Sequence, residues 1–333
     1  MANPKLTVAM PVKDGENYIR ETMDCILGQD FGDFNVVIAE NASTDATNEI
    51  LADYARRDRR VTVYSEPKPI GHTPNFNRAV DLCDTPWVKL ICHDDLLRRD
   101  ALTQISQAID AAEENGVGLI STGFRHMFDD SVISPGKSGN ARQFYEGRDA
   151  VRRYLSKENA PLVPAISNSA MRRDVFYKAG GFDNRFLHQD LPCWLYLLVH
   201  ANLFYLPDTL TVIRVHPGQI TNFSNKSGHS IFDFRTFLNE YIAKYGDQIG
   251  IDRETRLRAR FRSISVAARL TNDLLSAGKR TDALRLLASL PPYWLPLVPF
   301  AQLRMWRKEG TRNAAMEASL YPFDAATEGI PVA

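Results

Sequence analysis

Short apolar runs alternate with helical patterns along the first half of the chain, and that alternation limits the fold more than any other feature. Leu6 to Val12 (LTVAMPV), Phe34 to Ala39 (FNVVIA), Val61 to Tyr64 (VTVY) and Trp87 to Ile91 read as strands, with Val117 to Ser121 (VGLIS) as a fifth. Val and Ile favour the pleated conformation, and runs this short and apolar suit strands buried on both faces. Between them, Tyr18, Ile19, Thr22, Met23, Ile26 and Leu27 share one helical face. Ile50, Leu51 and Tyr54 share another, and Asn75 to Leu82 supply a third helix. This order predicts an α/β fold with a mostly parallel, Rossmann-like sheet and helices on both faces.

The Trp87 strand carries the sharpest chemical signal. It runs into Cys92 and His93, ends in the adjacent acids Asp94 and Asp95, and is followed by Leu96, Leu97 and a helical pattern after Asp100. In open α/β sheets ligands bind outside the carboxyl ends of the strands. Two neighbouring carboxylates repel, and a divalent metal with oxygen preference, itself a partner for phosphate, relieves them. A helix start accounts for the same residues differently, with Asp94 as the cap and Asp95 in the first turn. Glu40 repeats the pattern after the second strand, before Asn41-Ala42-Ser43-Thr44-Asp45.

Other chemistries are excluded by what the turns lack. The first turn, Pro11-Val12-Lys13-Asp14-Gly15-Glu16, has no GxGxxG, and Gly116-Val117-Gly118 precedes a strand instead of opening a helix. A P-loop is missing too, so a dehydrogenase and a P-loop nucleotidase are not supported. Formal net charge is zero over 333 residues, which gives nucleic acid no general attraction. The four cysteines, Cys25, Cys83, Cys92 and Cys193, show no CxxC spacing, which suits free thiols in a reducing compartment. With no signal-peptide pattern and no apolar run of membrane-spanning length, the expected location is cytoplasmic.

Two later residues have dual readings. Asp190 follows Gly180-Gly181-Phe182-Asp183 and stands before the apolar run Leu191 to Val199, where it serves as an N-cap or as a base facing a cleft. His216 follows the strand-like Leu210 to Val215 and precedes Pro217-Gly218, in a turn where an imidazole binds metal or phosphate or simply faces water. Leu203 to Leu206 reads as a separate strand, and 129–140 as a polar loop.

Taken together, the stretches from Leu6 to about Thr221 resemble the family 2 glycosyltransferases, which have the GT-A fold. LTVAMPVKDGENYIRETMDCILGQDF is similar to that family's opening strand, turn and helix. VVIAENASTDAT is similar to its strand ending in an acid, with Glu40 where Asp is commoner. GHTPNFNRAVDLCDTPWVKLICHDDLL resembles the helix and DXD-type motif, with Cys92 and His93 filling its first two places. GGFDNRFLHQDLPCWLYL resembles the segment carrying the catalytic base, with Gln189 for the usual Glu, and IRVHPGQIT its Arg-x-His segment. The resemblance implies inverting transfer from a nucleotide diphosphate sugar, UDP by family frequency, to a hydroxyl of a glycan or lipid-linked acceptor. It implies Asp190 as the base, and Asp95, Asp94 and His216 around a Mn2+ or Mg2+ ion. Pro11, Val12, Lys13, Glu16, Glu40, Asn41, Arg78, Asp94 and Arg214 would lie along the nucleotide. A catalytically inactive sugar-nucleotide-binding scaffold is the competing reading, kept open by Cys92 and Gln189. A nucleotidyltransferase would need a basic glycine-rich loop that is absent.

The domain expectation is a catalytic unit over 1–228 and a helical region over 229–333. Phe232, Phe237, Leu238, Tyr241 and Ile242 have helical spacing, Arg256 to Leu275 is a basic amphipathic stretch, and Asp282 to Leu290 is another. Pro291 to Phe300 is aromatic, Pro-rich and flanked by Arg304, Arg307 and Lys308. That suits either packing on the protein or peripheral contact with an anionic membrane surface.

Overall fold

The computed structural model describes residues 4–128, 132–133, 141–156, 163–219, 229–276, 278–288, 321–322 and 329–331. Most of the polar 129–140 stretch, Thr221, and everything from 291 to 314 therefore lie outside the described residues.

The first half alternates as the hydrophobic pattern dictates: β1 (Leu6–Val12), α1 (Ile19–Leu27), β2 (Asn35–Glu40), α2 (Thr47–Arg57), β3 (Val61–Ser65), α3 (His72–Asp81) and β4 (Trp87–Leu90). β1 pairs in parallel with β2 and β4, and β2 with β3. Side chains alternate across a strand, so each run feeds two cores. Leu6, Val8, Met10 and Val12 of β1, with Val36 and Ile38 of β2, join α1 and the later α4 (Ala101–Ala112) in one core. Ala9, Val37, Ala39, Val88 and Leu90 face the other, where Phe76, Ala79 and Val80 of α3 pack. This is why these strands read as continuous apolar runs.

Beyond β4 the sheet becomes mixed. A two-residue strand, β5 (Leu96–Leu97), follows the acidic turn, and β6 (Val117–Phe128) follows α4. β7 (Val132–Ile133), β8 (Gln143–Tyr145) and α5 (Gly147–Ser156) come next. Then a 3-10 turn (Ile166–Asn168) leads to β9 (Ser169–Arg172), which inserts antiparallel between β4 and β6. After α6 (Arg173–Ala179) and α7 (Asp190–Leu197), β10 (Asn202–Val215) runs parallel to β6 and antiparallel to β5 and β8. The two strands expected over Leu203–Leu206 and Leu210–Val215 are one. The register slips between Leu206 and Thr209, so Pro207 and Asp208 bulge out of a ladder that resumes beyond them. Gly123 permits this: a Cβ there would lie 2.7 Å from the Pro207 carbonyl oxygen.

The C-terminal helices are α8 (His229–Tyr245), α9 (Arg253–Ser276) and α10 (Arg280–Ala288). α8 starts the helical region inside the second core. Phe237, Leu238 and Tyr241 are buried there, the Phe237 and Tyr241 rings against Tyr196 of α7, and the Tyr241 hydroxyl donates to the Leu195 carbonyl at 2.9 Å. From Ile264 onward, α9 forms a separate small core with α10, through Ile264, Ala267, Ala268, Leu274, Ala283 and Leu286. Tyr321–Pro322 (β11) completes the sheet edge on β7. Among the described residues no helix is long and apolar enough to cross a membrane.

Candidate active site

The acidic pair occupies a turn between two strands. Ile91 N–H still donates to Ala9 at 3.1 Å, Asp95 N–H closes the turn on the Cys92 carbonyl at 3.2 Å, and β5 begins at Leu96. The next helix starts only at Ala101, so neither acid caps it. Both are nonetheless buried, Asp94 at 7% and Asp95 at 4% exposure. A buried turn rich in carboxylate needs partners, and the end of β10 supplies them. The Arg214 backbone N–H donates to Asp95 Oδ1 at 3.0 Å, and its Nε donates to the Asp94 carbonyl at 3.0 Å. Its guanidinium then pairs with Glu21 and lies 4.6 Å over the Tyr18 ring. His216 Nε2 stands 2.9 Å from Asp94 Oδ2, and Gln219 Nε2 reaches the same oxygen at 3.4 Å while donating to the Arg214 carbonyl.

These contacts separate the two acids electrostatically. Burial works to raise Asp94, but the His216 hydrogen bond and the nearby imidazoles hold its carboxyl below the usual range. Burial pushes Asp95 well above it, with the Asp94 charge adding to the rise. Lys89 lies below the turn, fully buried, its ammonium donating to the Leu90 and Ser167 carbonyls. Burial brings its pKa down to about 7 against the pull of Asp95 and Cys92. Ser167 Oγ accepts from Cys92 N–H at 2.9 Å.

On the other side of the same strand ends, the turns after β1 and β2 are laced together. Asp14 N–H donates to Ser43 Oγ, Asp14 Oδ1 accepts from Thr44 N–H, Gly15 N–H donates to Thr47 Oγ1 and Glu16 N–H to Asp45. Asp14 and Ala42 both adopt positive φ, 51° and 55°. Non-glycine residues held there cost energy that surrounding contacts must offset, and such positions cluster at binding sites. Gly15 is required by proximity: a Cβ would lie 2.7 Å from the His93 ring.

The structure gives the expected nucleotide residues different tasks. Glu40 is fully buried; one carboxylate oxygen accepts from Ser43 N–H, while Oε2 has no partner among the described residues. Pro11 and Val12 close β1 opposite Ala39 and Glu40. Lys13 pairs with Asp14. Asn41 holds the 70–71 backbone with both ends of its amide. Glu16 accepts from Ala46 N–H. Arg78 donates to the Glu40 and Tyr64 carbonyls and pairs with Glu66 at 2.8 Å, so it clamps the ends of β2 and β3. Arg214 likewise lies behind the acids, its side chain 2% exposed.

Asp190 is the first residue of α7, and its Oδ1 accepts from Leu191 N–H at 2.8 Å. Burial raises its carboxyl above the ordinary range, with the charge of His188 opposing the rise. The neighbouring Gln189 is buried with neither end of its amide partnered among the described residues, as is His188 Nε2. Burial brings the pKa of His72, at the start of α3, down to about 4, with the charges of His188 and His93 adding to the fall. Glu21, Ser167, Gln219 and Lys89 join the site without a motif of their own in the sequence. Lys89 had a visible signal, a charge inside an apolar strand; the others gain meaning only from partners far along the chain.

The sequence profile described as "Glycosyl transferase family 2" matches residues 7–180, more than half of the chain. The chain belongs to glycosyl transferase family 2. Among curated family relatives, the GalNAc(5)-diNAcBac-PP-undecaprenol beta-1,3-glucosyltransferase of Campylobacter jejuni is 20% identical over 235 residues, covering 69% of this chain and 71% of that one. Two other relatives match over shorter stretches, and the chain spans 16% and 21% of their length. TarS 1–349 of S. aureus superposes with a TM-score of 0.56 at 17% identity, covering 90% of this chain and 87% of that one. The mannosyltransferase PcManGT of Pyrobaculum calidifontis, solved with GDP-Man and Mn2+, gives a TM-score of 0.53 at 19% identity, covering 90% and 86%. At such identities the likeness establishes the fold, the GT-A type.

The donor set fits the divalent ion that the family implies. Cys92, Asp94 and Asp95 each offer a ligand atom, and all of these atoms lie within 4.8 Å of one another. His216 adjoins this set through Asp94.

Proposed function

We propose that the chain catalyses inverting transfer of a sugar from a nucleotide diphosphate sugar, UDP-linked, to a hydroxyl of a glycan or lipid-linked acceptor, in polysaccharide or glycoconjugate biosynthesis. The observation that carries this reading is the buried acidic turn fixed from behind by Arg214 and His216, on the sheet edge that also carries the unpartnered Glu40 oxygen. Asp95 and Asp94 would hold Mn2+ or Mg2+, which when bound supplies positive charge against the diphosphate leaving group. Asp190 takes the acceptor proton as the hydroxyl attacks, and a raised carboxyl pKa makes it a better base than an ordinary aspartate. Glu40 Oε2 accepts a hydrogen bond from the nucleoside. Arg78 and Asn41 hold the loops that shape that end of the site, and His216 keeps Asp94 ionised. The named relative's undecaprenol-linked acceptor and the solved complex of TarS with UDP-GlcNAc support the acceptor and donor classes. A cytoplasmic enzyme touching the membrane face through its C-terminal region is consistent with such an acceptor.

The competing reading is an inactive sugar-nucleotide-binding scaffold, favoured by Cys92 in the donor set and Gln189 beside Asp190. The experiment is a thermal-shift panel of UDP, GDP, dTDP and CDP, each with and without Mn2+ or Mg2+. A ligand at a hundred times its Kd stabilises the folded state by about 2.7 kcal/mol. Metal-dependent stabilisation by UDP, lost in Asp95→Ala, is expected. No shift with any nucleotide at millimolar concentration would refute the donor site.

A further inference from the structure

The acidic turn contains a sulfur where a metal site of this kind would be built from oxygen alone. Cys92 is held on both sides: its N–H donates to Ser167 Oγ at 2.9 Å and its carbonyl accepts from Asp95 N–H at 3.2 Å. That places its sulfur in one cluster with Asp94 and Asp95, no two ligand atoms more than 4.8 Å apart. A tetrahedral cation bound at about 2.3 Å to sulfur and about 2.1 Å to oxygen sets its donors about 3.6 Å apart. The cluster, open to 4.8 Å, therefore closes by about 1 Å when it takes up a cation, through rotation of the Cys92, Asp94 and Asp95 side chains. Ser167, which fixes the Cys92 backbone, is itself held from the buried side, its carbonyl accepting from Lys89. Cys25, Cys83 and Cys193 are buried and lie outside this cluster, the Cys25 sulfur being taken up by the Leu97 N–H.

We propose that Cys92 is a protein ligand of the divalent-cation site, and that its sulfur gives the site a preference for thiophilic and borderline cations over Mg2+. The proposal rests on the metal-dependent reading above and adds the identity of the third donor. Mg2+ takes oxygen ligands in near-ideal octahedra, so a sulfur in the set handicaps it. Co2+, Zn2+ and Cd2+ accept sulfur readily. Binding converts the Cys92 thiol to a metal thiolate, its proton passing to solvent, with no change of oxidation state.

The test uses the full chain and Co2+, alone and with UDP. Equilibrium dialysis measures stoichiometry, and near-ultraviolet absorption reads sulfur-to-cobalt charge transfer. One bound Co2+ with a charge-transfer band is expected. The band should vanish in Cys92→Ser, with Co2+ and Cd2+ affinity falling about 10- to 100-fold and Mg2+ affinity little changed. Cys92→Asp should keep the fold by circular dichroism and turn the preference toward Mg2+, which covers the case in which the serine variant fails to fold. Co2+ bound without the band, and lost in Asp95→Asn, would overturn the role of Cys92 while leaving the metal site standing. No bound Co2+ in the wild type would overturn both.

Discussion

Arg214→Met removes the side-chain tie between the acidic turn and β10 while leaving the Arg214 backbone bond to Asp95 in place, and the structure sets the size of the effect. The guanidinium is 2% exposed. Its Nε–H bond to the Asp94 carbonyl is charge-assisted and buried, worth about 1.5–3 kcal/mol. Its place over Tyr18 at 4.6 Å contributes about 1–2 kcal/mol. The pair with Glu21 adds less, because Glu21 is 46% exposed and water screens it, so about 0.5 kcal/mol is reasonable. Methionine keeps the apolar stem contact and spares the desolvation of a charge, which lowers the net loss to about 3 kcal/mol. Urea unfolding at constant slope reads this as a lowered midpoint. Glu21→Gln, which loses only the screened pair, should cost under about 1 kcal/mol. An Arg214→Met protein as stable as the wild type, but unable to bind nucleotide, would refute the reasoning and make the guanidinium a ligand group.

Asp190→Asn should keep the fold and nucleotide binding while lowering turnover by about 10²- to 10⁴-fold; wild-type turnover would remove Asp190 as the base. Because His188 works to lower the raised Asp190 carboxyl, His188→Gln should move the acid limb of the pH–rate profile to higher pH, whereas an unmoved limb would contradict that coupling. Asp95 has a raised folded pKa, so its contribution to metal-free stability is present below the unfolded value and is lost as pH rises through the folded one. Asp95→Asn should therefore gain stability relative to the metal-free wild type as pH increases, and a difference that shrinks with pH would refute the assignment. Tyr241→Phe removes the hydroxyl bond to Leu195 and should cost about 1 kcal/mol in urea unfolding; no loss would mean that α8 is held by its apolar contacts alone.

The parallel strands were legible because their residues obey a local rule: both faces of β1, β2 and β4 are apolar, and both are covered. The acids were legible as residues but not in their setting. Leu96 and Leu97 looked like the approach to a helix, yet they pair with Thr211 and Val212 across more than a hundred residues, and that pairing turns a possible cap into a buried loop. The bulge at Pro207 and Asp208 made one strand read as two. The antiparallel insertion of β9 follows from no local pattern, since Ser169–Arg172 chooses its neighbours by the space left between β4 and β6. Arg78 and Arg214 show the same limit at the site. Their charge pointed to a phosphate, whereas their hydrogen bonds go to carbonyls and carboxylates that only the folded chain brings near.

The most direct measurement of the central claim is nucleotide release from a panel of UDP-, GDP- and dTDP-sugars with Mn2+, compared between the wild type, Asp95→Asn and Asp190→Asn. Slow donor hydrolysis needs no knowledge of the acceptor. The account predicts metal-dependent release of UDP by the wild type, reduced at least tenfold (about 1.4 kcal/mol) in either variant. Metal-dependent binding of a nucleotide sugar with no release from any donor would contradict it and leave the chain a sugar-nucleotide-binding scaffold.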